Sequence, residues 1–399
     1  MSEAASEALP LARWMTEHEE ELVAIRRHLH AHPEVSGEEH ATTEFIAERL
    51  EVAGLRPRIV RSGTGLICDV GRSGGPLIAL RGDIDGLPIA DEKDQVHYRS
   101  QNAGVAHACG HDVHSTVVLG AGLFLAHQWP EDAPGLRLIF QPAEERVPGG
   151  ALDVIDDGGL DGVEAIYGVH CDPKLDVGLI GLRAGPITSA ADMVEIELSG
   201  PGGHTARPEL TIDTVSLAAA VISQLPGRVE ARVGTETPIK VVFGAVHAGE
   251  AANVIPTHAL LRASVRTPSL DVWETLSDVV PAETRAIAAT VGAHCEVRYT
   301  HGVPPVSNDD VAVGRVREAA HAVLGPATTT EAVQSWGGDD FAWYLREVPG
   351  CYIRLGTHDP DDHGPRLDLH AGHFDVDERA IGVGVAVLAA TVQGHLAAP

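Results

Sequence analysis

The segment of residues 107–114 combines three histidines, one cysteine and one aspartate within eight positions. Imidazole, thiolate and carboxylate groups are the side chains that bind Zn²⁺ and the neighbouring first-row metal ions. Only Gly110 separates Cys109 from His111, so both side chains can converge from one loop. A single Cys or His in a loop is more often structural, because a free Cys packs as a small apolar side chain. This segment is therefore a candidate metal site that needs further ligands from elsewhere in the chain.

Other polar residues follow candidate strands, at the point where each strand ends. These strand and polar-residue pairs are 76–80 before Asp83, 136–140 before Glu144 and Glu145, and 164–169 before His170. In open α/β sheets, ligands bind beyond the carboxyl ends of the strands. Side chains of compatible ligand type at successive strand ends indicate a functional site, although a lone Glu pair would usually be a solvated turn.

The adjacent carboxylates Glu144 and Glu145 should have different roles, because one strand end points neighbouring side chains apart. One carboxylate would be a metal ligand, and the other would take a proton from a water molecule that the metal acidifies. Asp83 is a candidate to orient a ligand histidine through its second ring nitrogen. The alternative for Asp83 is a structural role, in which it caps a turn with Gly82.

The order of the predicted elements indicates two domains, which a chain of 399 residues can accommodate. Alternating strands and helices predict an α/β domain with a mostly parallel sheet, formed by residues 1–187 and 299–399. Residues 188–298 read as β-α-β-β-α-β, the order of a smaller ferredoxin-like α+β domain inserted into the first. Near the N-terminus, Ser36 is a predicted N-cap of a helix that ends at Gly54.

Composition excludes several functional classes. The net charge of −28 disfavours binding to nucleic acid or to anionic membranes, which need basic patches. Long uninterrupted apolar runs are missing from the sequence, so no membrane span is expected. Five scattered cysteines and an acidic first segment without a signal-peptide pattern predict a cytoplasmic protein. The sequence contains neither a phosphate-binding P-loop, nor G-x-S-x-G, nor H-E-x-x-H.

Motifs along nearly the whole chain resemble the aminoacylase, hippurate hydrolase and auxin-conjugate hydrolase group of co-catalytic metallopeptidases. The resemblance extends from about Arg26 to about Val387, and its motifs stand in the order of that family. In chain order they are RGDIDGLPI, HACGHDVHST, QPAEE, GVH, GGHTARP, AGEAANVIP, GGDDFAWYL and LHAGHF. The resemblance implies a metallopeptidase-type catalytic domain and hydrolysis of the amide bond of N-acyl amino acids.

The same resemblance implies a role for individual residues. It makes Glu144 the general base, and it makes Cys109 the ligand that bridges two divalent metal ions, which could be Zn, Mn, Co or Ni. The complete ligand set that it implies is Cys109, His111, Glu145, His170 and His370.

For the inserted domain, the resemblance implies homodimerisation and a histidine, His204, that contacts the substrate carbonyl. Asn253 and Arg266 lie on predicted strands of this domain and are candidates to bind the substrate. An arginine fork matches the carboxylate of an N-acyl amino acid, although a solvated strand arginine is the alternative for Arg266.

The departures from the family pattern involve none of the implied ligands. Gly82 and Gly86 stand where Ala is usual. Asp339 replaces a Glu, and Cys171-Asp172-Pro173 follows His170 where a Trp is common after G-[LI]-H-V; these last two departures concern the substrate pocket. Two alternatives stay open. One is a dipeptidase or aminopeptidase of the same fold, and the other is a metal-binding protein without catalysis, which would have no need for a second Glu.

Overall fold

The protein is described from a computed structural model, in which residues 3–71, 76–130 and 133–397 are described. Met1 and Ser2, which begin the segment without a predicted signal peptide, lie outside these residues. The chain divides into two compact units. Unit 1 comprises Met1–Gly185, Ser307–Val333 and Asp340–Pro399, and unit 2 comprises Pro186–Val306 and Gln334–Asp339. The predicted assignment of catalysis to one domain and dimerisation to the inserted one stays a prediction.

Helices and strands are interspersed along the whole of the described residues. In chain order, the helices are α1 (Glu3–Ala31), α2 (His40–Val52), α3 (His111–His127), α4 (Ala151–Asp156), α5 (Thr214–Val233), α6 (Leu270–Ala289), α7 (Asp310–Leu324), α8 (Phe341–Glu347) and α9 (Arg379–Ala397). The strands are β1 (Arg58–Ile59), β2 (Leu66–Val70), β3 (Leu77–Asp83), β4 (Gly135–Gln141), β5 (Val163–Asp176), β6 (Ile180–Leu182), β7 (Gly185–Pro186), β8 (Ala191–Ser199), β9 (Gly203–His204), β10 (Lys240–Ala248), β11 (Val254–Ile255), β12 (His258–Arg266), β13 (His294–Val303), β14 (Ser307–Asn308), β15 (Thr329–Glu331) and β16 (Gly350–His358).

Unit 1 is built on an eight-stranded mixed sheet in the order β1-β2-β4-β3-β5-β16-β6-β15. Its four central strands, β4, β3, β5 and β16, are parallel to one another. Every residue of β3 and β4 is buried, which explains why their sequences are mostly apolar rather than alternating. The predicted α/β class with a mostly parallel sheet is therefore confirmed.

Helices α3 and α9 contribute much of the apolar core of unit 1. Helix α3 packs on β3, and α9 packs on α3, α7 and β16. Among the described residues, α9 is the one helix long and apolar enough to cross a membrane, by length and composition only. Half of that 18-residue window, 379–396, is buried inside the protein, as in the core helix of a globular domain.

The start of α2 differs from its prediction, whereas its end agrees. Ser36 is not the N-cap, because the helix begins at His40 and Glu39 holds the capping position. The Ser36 hydroxyl instead donates to the carboxylate of Asp85, 2.7 Å away. The helix ends as predicted, with Gly54 in the left-handed region at φ 81° just after the last turn.

Unit 2 contains a four-stranded antiparallel sheet in the order β10-β12-β8-β13. This order is that of a ferredoxin-like unit, and the predicted α+β topology of the insert is confirmed. Inward-facing residues of the sheet alternate with outward-facing ones and pack against α5 and α6. Side-chain caps begin both helices: Asp213 accepts from two backbone amides of α5, and Ser269 accepts from one of α6.

Candidate metal centre

The loop before α3 and the chain after β4 place three donor groups around one point of unit 1. One ligand atom each of Cys109, His111 and Glu145 lies within 4.8 Å of the others. Gly110 makes this geometry accessible, because it adopts φ 87° between Cys109 and the first residue of α3. A Cβ at Gly110 would come within 2.7 Å of Cys171 Sγ, so the loop also needs a residue without a side chain there.

The remaining two predicted ligands border the same group. His170 Nε2 is 3.6 Å from Cys109 Sγ, and His370 Nε2 is 3.3 Å from Glu145 Oε1. His370 has φ 60°, which is uncommon for a residue other than glycine, and its backbone amide donates to the carbonyl of Ala108. Unit 1 thus brings together five residues that we call the ligand cluster: Cys109, His111, Glu145, His170 and His370. Their role as ligands stays a prediction.

Hydrogen bonds orient both buried histidines of the ligand cluster toward its centre. His111 Nδ1 lies 2.9 Å from the carbonyl oxygen of Asp85 and 3.1 Å from its carboxylate, so Nδ1 is the nitrogen that donates. His170 Nδ1 likewise donates to the carbonyl oxygen of Cys171 at 2.7 Å. The Nε2 atom of each ring is therefore the one that faces the cluster and is available to a metal ion. Among the residues that the structure describes, no group hydrogen-bonds to the buried Nε2 of His111.

The charge distribution of the site also fits a cation. Burial lowers the pKa of His111, but the nearby Asp83 and Cys109 outweigh this effect and raise that pKa well above its usual value. Burial raises the pKa of the Cys109 thiol well above its usual value, so the thiolate needs a positive partner. A divalent ion would supply that charge. The donor types, the orphaned imidazole nitrogen and the electrostatics together fit metal ions of the zinc type.

Glu144 lies beside the ligand cluster with its carboxylate directed toward it. Its Oε2 is 3.8 Å from His111 Nε2, and a tenth of its side-chain surface is exposed. The preceding residue, Ala143, has φ 53°, a conformation that costs free energy for residues with a Cβ. Both carboxylates nevertheless lie near the same atom, since Glu145 Oε1 is 3.9 Å from His111 Nε2. The predicted division of roles between Glu144 and Glu145 stays a prediction. The role of Glu144 as general base stays a prediction.

Asp85, rather than the predicted Asp83, is the aspartate that hydrogen-bonds to His111 of the ligand cluster. Asp83 Oδ2 is 3.7 Å from His111 Nε2, too far for a hydrogen bond, whereas its Oδ1 accepts from His114 Nδ1 at 2.7 Å. Asp85 contacts His111 and also accepts from the backbone amide of Glu145 at 3.0 Å. The sequence did carry a signal for Asp85, because residues two apart in an extended chain point to the same side.

Nearby charges also shift the pKa of Asp83, which lies outside the ligand cluster. Burial alone would raise the pKa of Asp83, but Arg81, His111 and His114 outweigh burial and hold it well below its usual range. Asp83 is therefore a buried carboxylate with a permanent negative charge. Its nearest cation is Arg81, whose Nη1 donates to Asp83 Oδ2 at 2.5 Å.

Two of the three candidate residues of the insert lie next to each other in unit 2. His204 is in β9, which pairs with β11, and the backbone amide of Thr205 donates to the carbonyl oxygen of Asn253. The His204 side chain is exposed, and its Nδ1 accepts from the backbone amide of Ala206 at 3.0 Å. An exposed imidazole with a fixed ring is suited to contact a ligand. The roles of His204 and Asn253 stay predictions.

Arg266 bonds to residues of unit 2 other than His204 and Asn253. It ends β12 and is half-buried, so it is not the solvated strand arginine that was the alternative. Its Nη1 donates to the carbonyl oxygen of Trp336 at 2.7 Å, and its Nε donates to Ser264 Oγ at 3.1 Å. These contacts fix the guanidinium group. Its contact with substrate stays a prediction.

Residues 79–394 match the family described as Peptidase family M20/M25/M40. The match covers more than half of the chain, and the chain belongs to this family. The membership supports an enzyme that hydrolyses amide bonds with the help of divalent metal ions, and the resemblance inferred from the sequence motifs is confirmed.

Individual relatives agree with this assignment. The chain is 39% identical over 368 residues to N-acetyl-L-cysteine deacetylase of Bacillus subtilis (strain 168), covering 91% of this chain and 85% of that protein. It is 44% identical over 372 residues to a protein of Rhodococcus jostii (strain RHA1) named as a candidate glutamate–cysteine ligase 2-3, but the match covers 93% of this chain and only 46% of that protein. The chain thus spans about half the length of that relative.

A solved structure is similar over nearly its whole length. It is the Bacillus subtilis YXEP protein, described as a dinuclear metal binding peptidase from the M20 family. Its sequence is 34% identical, the TM-score is 0.82, and the comparison covers 95% of this chain and 99% of that one.

Proposed function

We propose that this protein hydrolyses the amide bond of N-acyl amino acids, with two divalent metal ions and with Glu144 as the general base. The observation that carries the proposal is the ligand cluster with its adjacent carboxylate. Its five donors come from four segments of unit 1, and the Nε2 atoms of its buried histidines are directed inward. Glu144 lies at the border of this cluster without being needed as a sixth donor.

Metal ions held by the ligand cluster would polarise the amide carbonyl and lower the pKa of water at the site. Asp85 prepares the protein part of this centre, because its backbone and carboxylate oxygens fix His111 while the carboxylate also holds the backbone of Glu145. The donor set of one thiolate, three imidazoles and one carboxylate accepts Zn, Mn, Co or Ni. Adding these ions one at a time to metal-free protein identifies the one that supports turnover.

Glu144 is suited to move the proton in this reaction. Its carboxylate is a base that can take a proton from water and hand it to the leaving amine, a role that typically contributes 10²–10⁴-fold in rate. A carboxylate that is partly exposed beside a buried cluster can reach both water and substrate. Glu145, one residue further on, is committed to the cluster through its contact with His370.

The substrate class rests on the relatives and on the insert. A deacetylase that acts on N-acetyl-L-cysteine is among the relatives, which favours a small N-acyl amino acid as the substrate of this chain too. His204 would contact the substrate carbonyl, and Asn253 and Arg266 would bind its carboxylate. We further propose that unit 2 forms a homodimer, and that the enzyme works in the cytoplasm.

The test is a substrate panel on protein that has been stripped by a chelator and reloaded with single metal ions. The panel contains N-acetyl- and N-benzoyl-amino acids, including N-acetylcysteine, together with unblocked dipeptides. Metal-dependent release of free amino acid from the blocked substrates supports the proposal. Faster turnover of the dipeptides would favour a peptidase, as the YXEP description suggests, and no turnover with bound metal would leave a metal-binding protein.

Two neighbouring variants separate the roles of the carboxylates. Glu144→Gln should retain bound metal and lose about 10²–10⁴-fold in kcat. Glu145→Gln should lose metal affinity, because it removes one charged donor. Equal metal loss in both variants, or full activity of Glu144→Gln, would contradict the assignment.

A further inference from the structure

Arg81, Asp83, His114 and the backbone amide of Cys171 form a buried chain of hydrogen bonds beside the ligand cluster. None of these residues belongs to the cluster. Arg81 Nη1 donates to Asp83 Oδ2 at 2.5 Å, and Asp83 Oδ1 accepts from His114 Nδ1 at 2.7 Å. At the far end, His114 Nε2 faces the backbone amide of Cys171 at 2.8 Å. The side chains of Arg81, Asp83 and His114 have no exposed surface. Such a chain is maintained against a large desolvation cost, which calls for a reason.

A third metal position is not that reason. Asp83, His111 and His114 have donor atoms close enough to hold an ion. However, both oxygens of Asp83 already accept hydrogen bonds, and the guanidinium of Arg81 supplies the positive charge at this point. Arg81 is itself anchored, since it also donates to Gln141 and Asp340 at 2.8 and 2.9 Å. Both carboxylate oxygens of Asp83 are therefore already paired with protein donors.

The contacts of His114 fix which of its nitrogens carries the proton. A backbone N–H can only donate, so the amide of Cys171 requires a lone pair on His114 Nε2. The proton is then on Nδ1, where the carboxylate of Asp83 accepts it. Asp83 thus selects the tautomer of His114, and this tautomer in turn accepts from the amide of Cys171.

The amide that His114 holds belongs to the residue following His170. The carbonyl oxygen of the same residue, Cys171, accepts from His170 Nδ1 at 2.7 Å and directs His170 Nε2 toward Cys109 Sγ. The rings of His114 and His170 also pack with centroids 4.9 Å apart. Holding both the ring and the following peptide leaves His170 a single orientation.

We propose that His114 is a positioning residue for the metal centre: in the tautomer set by Asp83, it holds the peptide of Cys171 and thereby aims His170 at the ligand cluster. The inference rests on the proposed role of His170 as a metal ligand. It assigns a reason to the buried charge of Asp83 and Arg81, which lie outside the ligand cluster.

Two substitutions at His114 separate this role from simple packing. In His114→Gln, the side-chain oxygen can take the place of Nε2 and accept from Cys171. In His114→Asn, the shorter amide can replace Nδ1 and bond to Asp83, but it does not reach Cys171. A purely structural role that satisfies Asp83 would favour Asn, whereas the proposed role favours Gln.

The first readout uses chelator-treated full-length protein labelled with ¹⁵N at cysteine, which gives five amide signals. The signal of Cys171 should move upfield in His114→Asn and stay near its wild-type position in His114→Gln. Asp83→Asn serves as a second variant at the other end of the contact. It should move the same signal, because an asparagine amide can donate to His114 and reverse its tautomer. Cooperative thermal unfolding by circular dichroism shows that each variant is folded.

The second readout is titration of the same proteins with Co²⁺ by calorimetry. The wild type should bind two equivalents, and His114→Asn should bind one of them about 10–100-fold more weakly, the range typical of residues behind metal ligands. His114→Gln should remain close to the wild type. An unchanged Cys171 signal in His114→Asn, or the same loss of Co²⁺ affinity in both variants, would overturn the inference.

The two readouts also separate this inference from the proposed function. A wild-type protein that takes up no Co²⁺ would overturn the proposed function and, with it, the role of His114 at the metal, even if the amide contact is intact. Two equivalents of Co²⁺ bound with wild-type affinity by every variant, although the amide signal has moved in His114→Asn and Asp83→Asn, would overturn the inference and leave the proposed function in place.

Discussion

Replacing Arg26 by methionine should destabilise the protein by about 3–5 kcal/mol, because the change removes the guanidinium partner of a buried carboxylate and leaves it only His30. Arg26 in α1 is 1% exposed, and its Nε donates at 2.7 Å to Asp112, which is equally buried in the first turn of α3. Its remaining nitrogens contact Asp375 at 2.9 Å and Glu378 at 3.3 Å. Burial alone would raise the pKa of Asp112, but Arg26 and His30 hold it well below its usual range, so this carboxyl is charged at neutral pH.

The expected loss is a large part of the 5–15 kcal/mol by which domains are typically stable. It should appear in urea unfolding of chelator-treated protein as a midpoint lower by about 1–2 M. Circular dichroism and tryptophan fluorescence should give coincident transitions, since only then does the midpoint report one equilibrium. Chelation removes any contribution of bound metal to the comparison.

Arg13→Met is the matched control. Arg13 donates to Glu17 at 2.8 Å, nearly the distance of the buried pair, but its side chain is 81% exposed. An exposed pair of this kind contributes little to stability, because water and salt screen it, so the control should unfold almost as the wild type does. Arg26→Met that unfolds within about 1 kcal/mol of Arg13→Met would refute the reasoning that burial makes this contact strong.

Three further outcomes are expected. Asp85→Asn should weaken metal binding about 10–100-fold in calorimetry, because Asp85 fixes His111 and the backbone of Glu145; unchanged affinity would remove Asp85 from the site. Burial raises the pKa of Glu39 above its usual value. Glu39 therefore binds a proton more readily in the folded protein than in the unfolded chain. The stability that this proton binding contributes is lost as the pH rises through the folded pKa. Glu39→Gln should therefore gain stability relative to the wild type as the pH rises above about 4.3, the usual value of a glutamate, in urea unfolding, and a gain toward low pH would show the opposite sign. Adding a binding metal ion at about 100 times its Kd should stabilise the chelated protein by about 2.7 kcal/mol in thermal unfolding, whereas equal transitions with and without metal would contradict a preformed site.

The sequence predicted the parts of the fold in which local pattern and burial agree. Strands β3 and β4 are buried on both faces, and their apolar runs are visible without any tertiary information. The residues that follow the apolar runs of β4 and β5 are of ligand type, so Glu145 and His170 could be selected as candidates. The predicted strand end before His170 is wrong, because β5 continues to Asp176. His370 depended on the family resemblance, because its segment of the sequence has no strand before it.

The errors occurred where a tertiary contact overrides a local pattern. Ser36 followed by Glu39 matches a capping box, but Asp85 takes up the Ser36 hydroxyl and Gly37 turns the chain at φ 84° before the helix begins. Asp83 and Asp85 follow the same predicted strand and are two residues apart, so the sequence pattern does not distinguish them. The position of the loop before α3 decides which of them contacts His111. The proposed role of His114 could not be predicted from the sequence. The helical pattern places His114 on a buried face of α3, but its contact with Cys171 is a tertiary one.

The most direct test of the metal centre is a crystal structure of metal-loaded protein with anomalous diffraction data collected at the absorption edge of the added ion. The proposed centre predicts two anomalous peaks, both within coordination distance of donors in the ligand cluster, with Cys109 Sγ shared between them. Peaks at other residues, or a cluster whose side chains turn away from one another around no ion, would contradict it.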